Sequence, residues 1–549
     1  MKKIYMLLCL AVLSLTTAMA QWTTSDTETH SLTKEGEYNQ CELKQVFTSD
    51  GKLVMVWLRP GADLLSKDNH YRLYMQIFDK DGNALLEEGG KLIVDKPSRS
   101  WITDYTLTLA PNDDVLIGYY DCRNDENRPW YTSYFYRYDS NGNAVWSEDG
   151  VLGFDTEGVD LATVSDATPR ICCSGDNVYV SVQRNLAIKT KATEENWKPT
   201  YEGEEMPEYV YLWDDQYILS CINADGECIS KTEKFGYCAL GALYPAPDGD
   251  IYLTFQPVEF TKLQCVRYNN KMESVWEGRL DVEPQQLSPS MAPQTPQIKA
   301  DGQGGLICGY FLKGSMTAQC ALQRVKPDGT TWEDRVLAVP NAQGTANSFA
   351  FGVRESDGTI MHMQCYQPSS ANTLTINKLD IDGNYLWKGT KYEEGRTIVN
   401  NDRYDIRAVL VEPRENSWIL VYGIYNTSKY GYDYVVREVN EDGKKIWDRQ
   451  FETAFYLIHG QYFFIKDNLL FWVYEVDMPK EGKPVESYQG PTGMLYRVID
   501  ISIHTEGIEQ PVVINPNAKA GVAYDLQGRQ VNDDYKGIVI VDGKPVVRK

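Results

Sequence analysis

The apolar positions of this chain fall in short β-branched and aromatic runs, not at helical spacing. Leu53–Trp57, Val115–Tyr120, Val178–Val182, Ile251–Phe255, Leu306–Tyr310, Thr359–Met363, Trp418–Tyr422 and Leu469–Tyr474 each alternate in part and end on turn residues. Runs of this kind read as strands. A tight turn precedes each of them, for example Ser49-Asp50-Gly51, Pro247-Asp248-Gly249 and Ser356-Asp357-Gly358. Spacing of three and four between apolar residues is nearly absent, so helix is not expected.

A second pattern interleaves with the first. Leu379-Asp380-Ile381-Asp382-Gly383-Asn384-Tyr385-Leu386-Trp387 reads as strand, Asp-Gly turn and a second strand opened by a large aromatic. Relatives of it stand at Phe78–Asn83, Tyr138–Trp146, Ile222–Gly226, Val325–Trp332 and Val439–Trp447, and a degenerate copy at Tyr268–Trp276. One module is therefore a four-stranded meander of about 60 residues, and recurrence on that scale marks a repeat architecture. The fold expected is an all-β propeller whose blades bury their faces against one another. Eight modules can be counted, with a seven-bladed ring as the alternative. The eighth lacks an Asp-Gly…Trp strand after Met494–Ile501, and the N-terminal piece Gln21–Leu32 carries an unmatched Trp22. That piece is expected to supply the missing strand and close the ring.

Strand parity divides the turns between two faces. The first and third turns of each module share one face and are short and uniform. The second turn and the link to the next module share the other, where Ser66–His70, Cys122–Thr132, Leu186–Tyr209, Thr427–Tyr432 and Met478–Gly493 are long and varied. Variable loops on a rigid frame are where binding residues gather. The candidate ligand-binding residues on that face are Asp121, Arg123, Trp130, Tyr131, Trp197, Tyr201, Tyr430 and Tyr432. Their aromatics suit sugar stacking or a protein partner; no catalytic residue can be named.

Composition narrows the address. Lys2 and Lys3, the apolar run Ile4–Leu15 and Ala18-Met19-Ala20 have the layout of a signal peptide over residues 1–20. Loss of those two lysines takes the formal charge from −23 to −25, which disfavours nucleic acid and anionic membrane as partners. No later stretch reaches the roughly 20 apolar residues of a membrane helix, so no membrane insertion is expected. The five histidines are scattered, and neither a metal nor a cofactor is expected. The cysteines left after Cys9 are odd in number and mostly sit in apolar strands, as at Cys308, Cys320 and Cys365, where they read as free core thiols. A monomer is expected.

The Asp-x-Asp-Gly-Asn turns invite a calcium reading, but they lack the later ligands and the closing glutamate of such a loop. Asp-Gly is also a strong hairpin signal, and we read them as turns. They resemble the Asp-box of sialidases, although Gly383 to Trp387 is one residue longer and the box serine is absent. The glycine-to-tryptophan spacing also resembles the blades of pyrroloquinoline quinone proteins, in some of which a vicinal disulfide lines the quinone site. The pair Cys172-Cys173 suits that resemblance, but the family's calcium ligands find no counterpart here. Adjacent strand residues point to opposite sides, which is the plainer reading of the pair.

The tail is distinct. A linker over residues 504–519 leads into a segment at 520–549 containing Tyr524-Asp525-Leu526-Gln527-Gly528-Arg529-Gln530-Val531, then Lys536-Gly537-Ile538-Val539-Ile540-Val541-Asp542-Gly543 and a basic end. It resembles the C-terminal sorting domain of type IX secretion in Bacteroidota, a strand followed by a second strand and a basic end. The propeller looks like the large repeat proteins that carry such tails. The resemblance implies export to the cell surface or medium, or to the periplasm if the tail goes unused. The function expected is binding of a glycan or cell-surface protein; the alternative is a polysaccharide hydrolase or lyase with its site in the propeller funnel.

Overall fold

The computed structural model describes residues 22–33, 41–59, 71–98, 104–124, 130–201, 203–231, 238–257, 263–279, 296–312, 319–332, 336–337, 345–367, 372–387, 396–402, 405–427, 431–452, 458–477, 492–502, 523–524, 530–531, 537–541 and 544–548. The signal segment, the linker, Tyr430 and the loop Ser66–His70 lie outside them, as do residues 478–491.

The chain is an eight-bladed β-propeller built of antiparallel sheets in sequence order. Blade 1 spans Cys41–Phe47, Leu53–Arg59, Arg72–Phe78 and Lys91–Val94, innermost strand first. Blades 3 to 7 repeat that order from Val164 to Phe451. Blade 2 has three strands, Thr106–Leu109, Val115–Asp121 and Thr132–Tyr138; a single bridge, Phe135 to Val151, stands where its fourth would run. The inner strands of blades 1, 3, 4, 6, 7 and 8 carry a register shift, which bends them around the axis. Among the described residues no helix is long and apolar enough to cross a membrane.

Most of the Asp-Gly turns are held by their first side chain; in blade 5, where Lys326 stands there, Asp328 accepts from Thr330 instead. Asp79 Oδ1 accepts from the Asp81 and Asn83 backbone N–H groups at 2.9 and 2.8 Å, and Oδ2 takes the Asn83 amide at 2.9 Å. Asn223, Asn269 and Asn440 make the same two backbone bonds with an uncharged amide oxygen. The position needs a short acceptor and not a charge, as a turn does and a calcium loop does not. Gly82 and Gly383 sit at φ +87° and +85°, where a side chain is strained. The degenerate copy in blade 4 places Met272 there at φ +61°.

After four of the turns a tryptophan reaches forward to the next blade, whereas Trp447 donates to Glu438 of its own blade 7. Trp146, Trp276, Trp332 and Trp387 donate their indole N–H to the carbonyls of Ala224, Pro327, Ile381 and Glu441, at 2.7, 3.1, 3.2 and 3.0 Å. Each acceptor lies inside the following blade's turn. In three of these joints an arginine of the same blade donates to the same carbonyl: Arg137, Arg267 and Arg324, at 3.4, 3.2 and 3.3 Å. Those arginines are in turn paired with Asp114, Asp250 and Asp301.

The ring closes through the N-terminal strand. His30 and Ser31 pair with Tyr496 and Leu495 to form the outermost strand of blade 8. Trp22 then occupies the position of the latch tryptophans, between Phe471 of blade 8 and Phe78 of blade 1, at ring distances of 5.0 and 5.3 Å. A Cβ on Gly82 would stand 2.8 Å from the Trp22 ring.

Cys172 packs with Tyr179, Leu219 and Ile251 on one side of blade 3, and Cys173 against Trp146 and Val178 on the other. Both are unpaired thiols that burial pushes up to about 12. The tail, residues 501–549, is a separate compact unit. Its sheet runs Gln530–Val531, Ala523–Tyr524, Gly537–Val541, Lys544–Arg548. The first stretch, read from sequence as one strand, is two short strands paired with each other.

Trp22→Ala removes a buried indole and should cost about 3 kcal/mol in chemical unfolding. A chain beginning at Gly36 should melt markedly lower than the parent and aggregate through its open blade edge, whereas one ending at Gln510 should melt like the parent; light scattering and calorimetry report both. His362 of blade 6 is fully buried against Phe349, and neither ring nitrogen has a hydrogen-bond partner among the described residues. Burial pushes its pKa from 6.5 down to about 3, so the unfolded chain binds the proton more readily. The stability this neutral ring carries is complete above pH 6.5 and falls as pH drops toward 3. Against a His362→Gln chain, the parent should lose about 2 kcal/mol more between neutral pH and about pH 5, read from urea midpoints.

Candidate binding site

Blade 3 departs from its neighbours in one respect. Its middle strands, Asn177–Lys191 and Tyr209–Ile222, stay paired from Val178–Ile222 out to Lys191–Tyr209. The inner strand stops pairing at Leu186, so the ends project as a two-stranded ribbon beyond the blade, by about 15–20 Å at ordinary strand rise. The ends of the span read from sequence as the loop Leu186–Tyr209, Leu186–Lys191 and Tyr209, are therefore strand. Within Ala192–Glu208 the chain is shaped by Asn196, whose amide oxygen accepts from Thr193 N–H at 2.8 Å and whose amide donates to the Lys191 carbonyl at 3.0 Å.

Alternation sorts the ribbon's side chains into two faces. Tyr209, Tyr211 and Trp213 share one, opposite Lys191, Lys189 and Ala187. Trp130, from the loop of blade 2, closes on that face with its ring 5.5 Å from Tyr211 and 5.2 Å from Trp213, both edge-to-face. Lys189 lies 4.4 Å from the Tyr209 ring. Trp213 remains 48% and Tyr211 37% exposed, and Tyr201 in the connecting loop 67%. The result is an open wall of aromatic rings, contributed by two blades and rimmed by Lys189, Lys191 and Asp215. Exposed apolar area concentrated in this way marks an interaction surface.

Buried charge fixes the wall. At the ribbon's base Arg184, 3% exposed, donates from Nε and Nη2 to Asp166 at 2.7 and 3.0 Å. The same carboxylate accepts from Ser133 N–H at 2.8 Å, and Asp166 N–H donates to the Tyr131 carbonyl at 2.7 Å. One aspartate thus ties the ribbon to the segment that carries Trp130.

The residues proposed from sequence fall into separate groups. Asp121 is fully buried and paired with Arg123. Burial raises its carboxyl and Arg123 pulls it back. Arg123 also donates to Tyr136 and to the Asp149 carbonyl at 2.8 and 2.7 Å and lies 3.8 Å from the Tyr134 ring, which braces the start of the Trp130 loop. Tyr131 is buried against Tyr120. Trp130 alone of the set joins the wall. Trp197 is half-buried in the ribbon's connecting loop, where Tyr201 also lies. Tyr432 is on blade 7, its hydroxyl on Asp405 and Arg407 4.5 Å from its ring. Sequence reasoning missed Tyr211, Trp213, Asp166 and Arg184; the unbroken alternation from Tyr209 to Trp213 was the available signal.

Elsewhere, on the inner strands, Asp104 is shared by Arg170 at 2.7 Å and Lys44 at 3.4 Å. Glu42 beside them has its carboxyl raised by burial, with Lys44 opposing and Asp104 adding. No group of three or more metal-ligating side chains occurs among the described residues.

No protein-family profile and no curated protein sequence matches the chain. Solved structures do. A protein of unknown function from Dyadobacter fermentans aligns at 10% identity over 86% of this chain and 98% of its own, with a TM-score of 0.37. The polysaccharide lyase Uly1 aligns at 11% identity over 88% and 95%, TM-score 0.37. Dipeptidyl peptidase 4 of Porphyromonas gingivalis aligns at 12% identity over 82% of this chain and 60% of its own, TM-score 0.39.

Replacing Asp166 by Ala leaves Arg184 as a buried unpaired cation and should cost about 3 kcal/mol in urea unfolding, with Trp130 fluorescence shifting as the wall loosens.

Proposed function

We propose that this is an exported, surface-associated β-propeller that binds a glycan on the aromatic wall of blades 2 and 3. The observation that carries the reading is the row Tyr211, Trp213 and Trp130, held open to solvent on a clamped ribbon. Sugar rings offer C–H faces that settle on exposed indoles and phenols, and hydroxyls that bond to side chains at the rim. Asp215 and the two lysines supply such partners. Rigid aromatics give contact area at low entropic cost, as in antibody paratopes. The leader-like residues 1–20 and the tail that resembles the type IX sorting domain support export to the cell surface. A glycan array probed with the parent should give discrete hits, and a Tyr211→Ala/Trp213→Ala double variant should bind them at least about tenfold more weakly with unchanged melting temperature. Equal binding by that variant would refute the reading.

A second reading, polysaccharide cleavage in the funnel, draws on Glu42 and Asp104 with Arg170 and Lys44 at the inner strands. Reducing ends released from array-positive polysaccharides, and lost in Asp104→Asn, would favour it over binding alone.

A further inference from the structure

Where the inner strands of blades 5, 6 and 7 reach the short-turn face, opposite the ribbon, a cavity of about 580 Å³ opens among Lys299, Arg354, Glu355, Glu412, Arg414 and Glu415. Two of its cations, both part-buried, differ from the arginines that answer aspartates. Arg137, Arg184, Arg267 and Arg324 each meet an aspartate at 2.6–2.7 Å. Arg354 is likewise committed, to the Arg414 carbonyl at 2.9 Å, to Asp357 at 3.2 Å and to Glu441. Arg414 and Lys299, among the described residues, have no ion-pair partner. The Arg414 Nη2 is buried without a hydrogen bond, and Lys299 rests 5.5 Å from the Phe351 ring. Burial lowers the Lys299 pKa, with Glu412 opposing, and raises that of Glu412.

Both cations are part-buried and share Glu412 as a counter-charge without a direct ion pair, which leaves donors on each for an added carboxylate. A bare anion would also meet Glu355, Glu412 and Glu415. A neutral sugar would leave those donors without a carboxylate. A molecule with one carboxylate and several hydroxyls satisfies both sets: the guanidinium and ammonium take the carboxylate, and Glu412 accepts from a hydroxyl. The volume lies within the usual range of small-molecule sites. We propose that this cavity binds a sugar acid, its carboxylate on Lys299 and Arg414 and a hydroxyl on Glu412. The site is independent of the aromatic wall.

Calorimetric titration of the full chain with sodium glucuronate, glucose and sodium acetate tests this. Glucuronate should bind with a Kd on the order of 1 mM, and glucose and acetate at least about tenfold more weakly. Lys299→Met and Arg414→Gln should each weaken glucuronate at least about tenfold, while Trp213→Ala leaves it unchanged. Lys299→Met should melt no lower than the parent, since it removes a part-buried charge, and it decides the matter alone if Arg414→Gln does not fold. Acetate binding as tightly as glucuronate, or glucuronate binding unaltered in the lysine variant, would overturn the proposal.

Discussion

The structure depends on one recurring contact, an indole of one blade laid on the turn of the next. A four-stranded sheet cannot bury its faces alone, so the molecule stands on joints between neighbours. The joint places a donor, Trp146, Trp276, Trp332 or Trp387, on a carbonyl that is exposed because the turn bends its strand away from ladder pairing. A carbonyl has two lone pairs, and the adjacent arginine uses the second in three joints. The last joint is made by Trp22, from the opposite end of the chain, so the ring is shut by the same contact that builds it. Closing it there orders a loop of nearly the whole chain. That entropy is recovered only because the eighth joint removes the last open faces.

This logic decides what could be read from sequence. The turns were legible because glycine at positive φ and an acceptor four residues before the turn's end are local requirements. The role of Trp22 followed, since a last module without its fourth strand and an N-terminal piece with an unmatched tryptophan have few solutions. What stayed hidden is pairwise and distant. Asp166 and Arg184 lie in different strands of no special composition, and only the fold brings them together. Asp121 and Arg123, close in sequence, suggested a site but neutralise each other in the interior. Tyr211 and Trp213 were hidden for the opposite reason: an alternating aromatic strand reads as core, and here the pairing runs past the blade so that core-like residues meet solvent.

Rings at the ribbon's tip forgo burial that a core position would give, on the order of 2 kcal/mol each. The arrangement persists because the ribbon is overdetermined at its root, where Asp166 serves Arg184, Ser133 and Tyr131 together. Trp130 is carried by the segment that this aspartate holds, so the wall keeps its spacing without a hydrophobic backing. A stiff wall loses little entropy when a ligand settles on it.

Charge follows the same division between frame and opening. In a chain of net charge −23, the joints set arginines against aspartates, Arg137, Arg267 and Arg324 against Asp114, Asp250 and Asp301. Each such pair offsets its desolvation by sitting in a full set of hydrogen bonds. Arg414 and Lys299 have no such set, although blade 7 offers Glu412 within electrostatic reach. Both line the cavity that the short, uniform turns open at the ring's inner edge. The two faces thus differ in what they present. The long-loop face presents apolar rings rimmed by charge, and the short-turn face presents charge held by the frame itself.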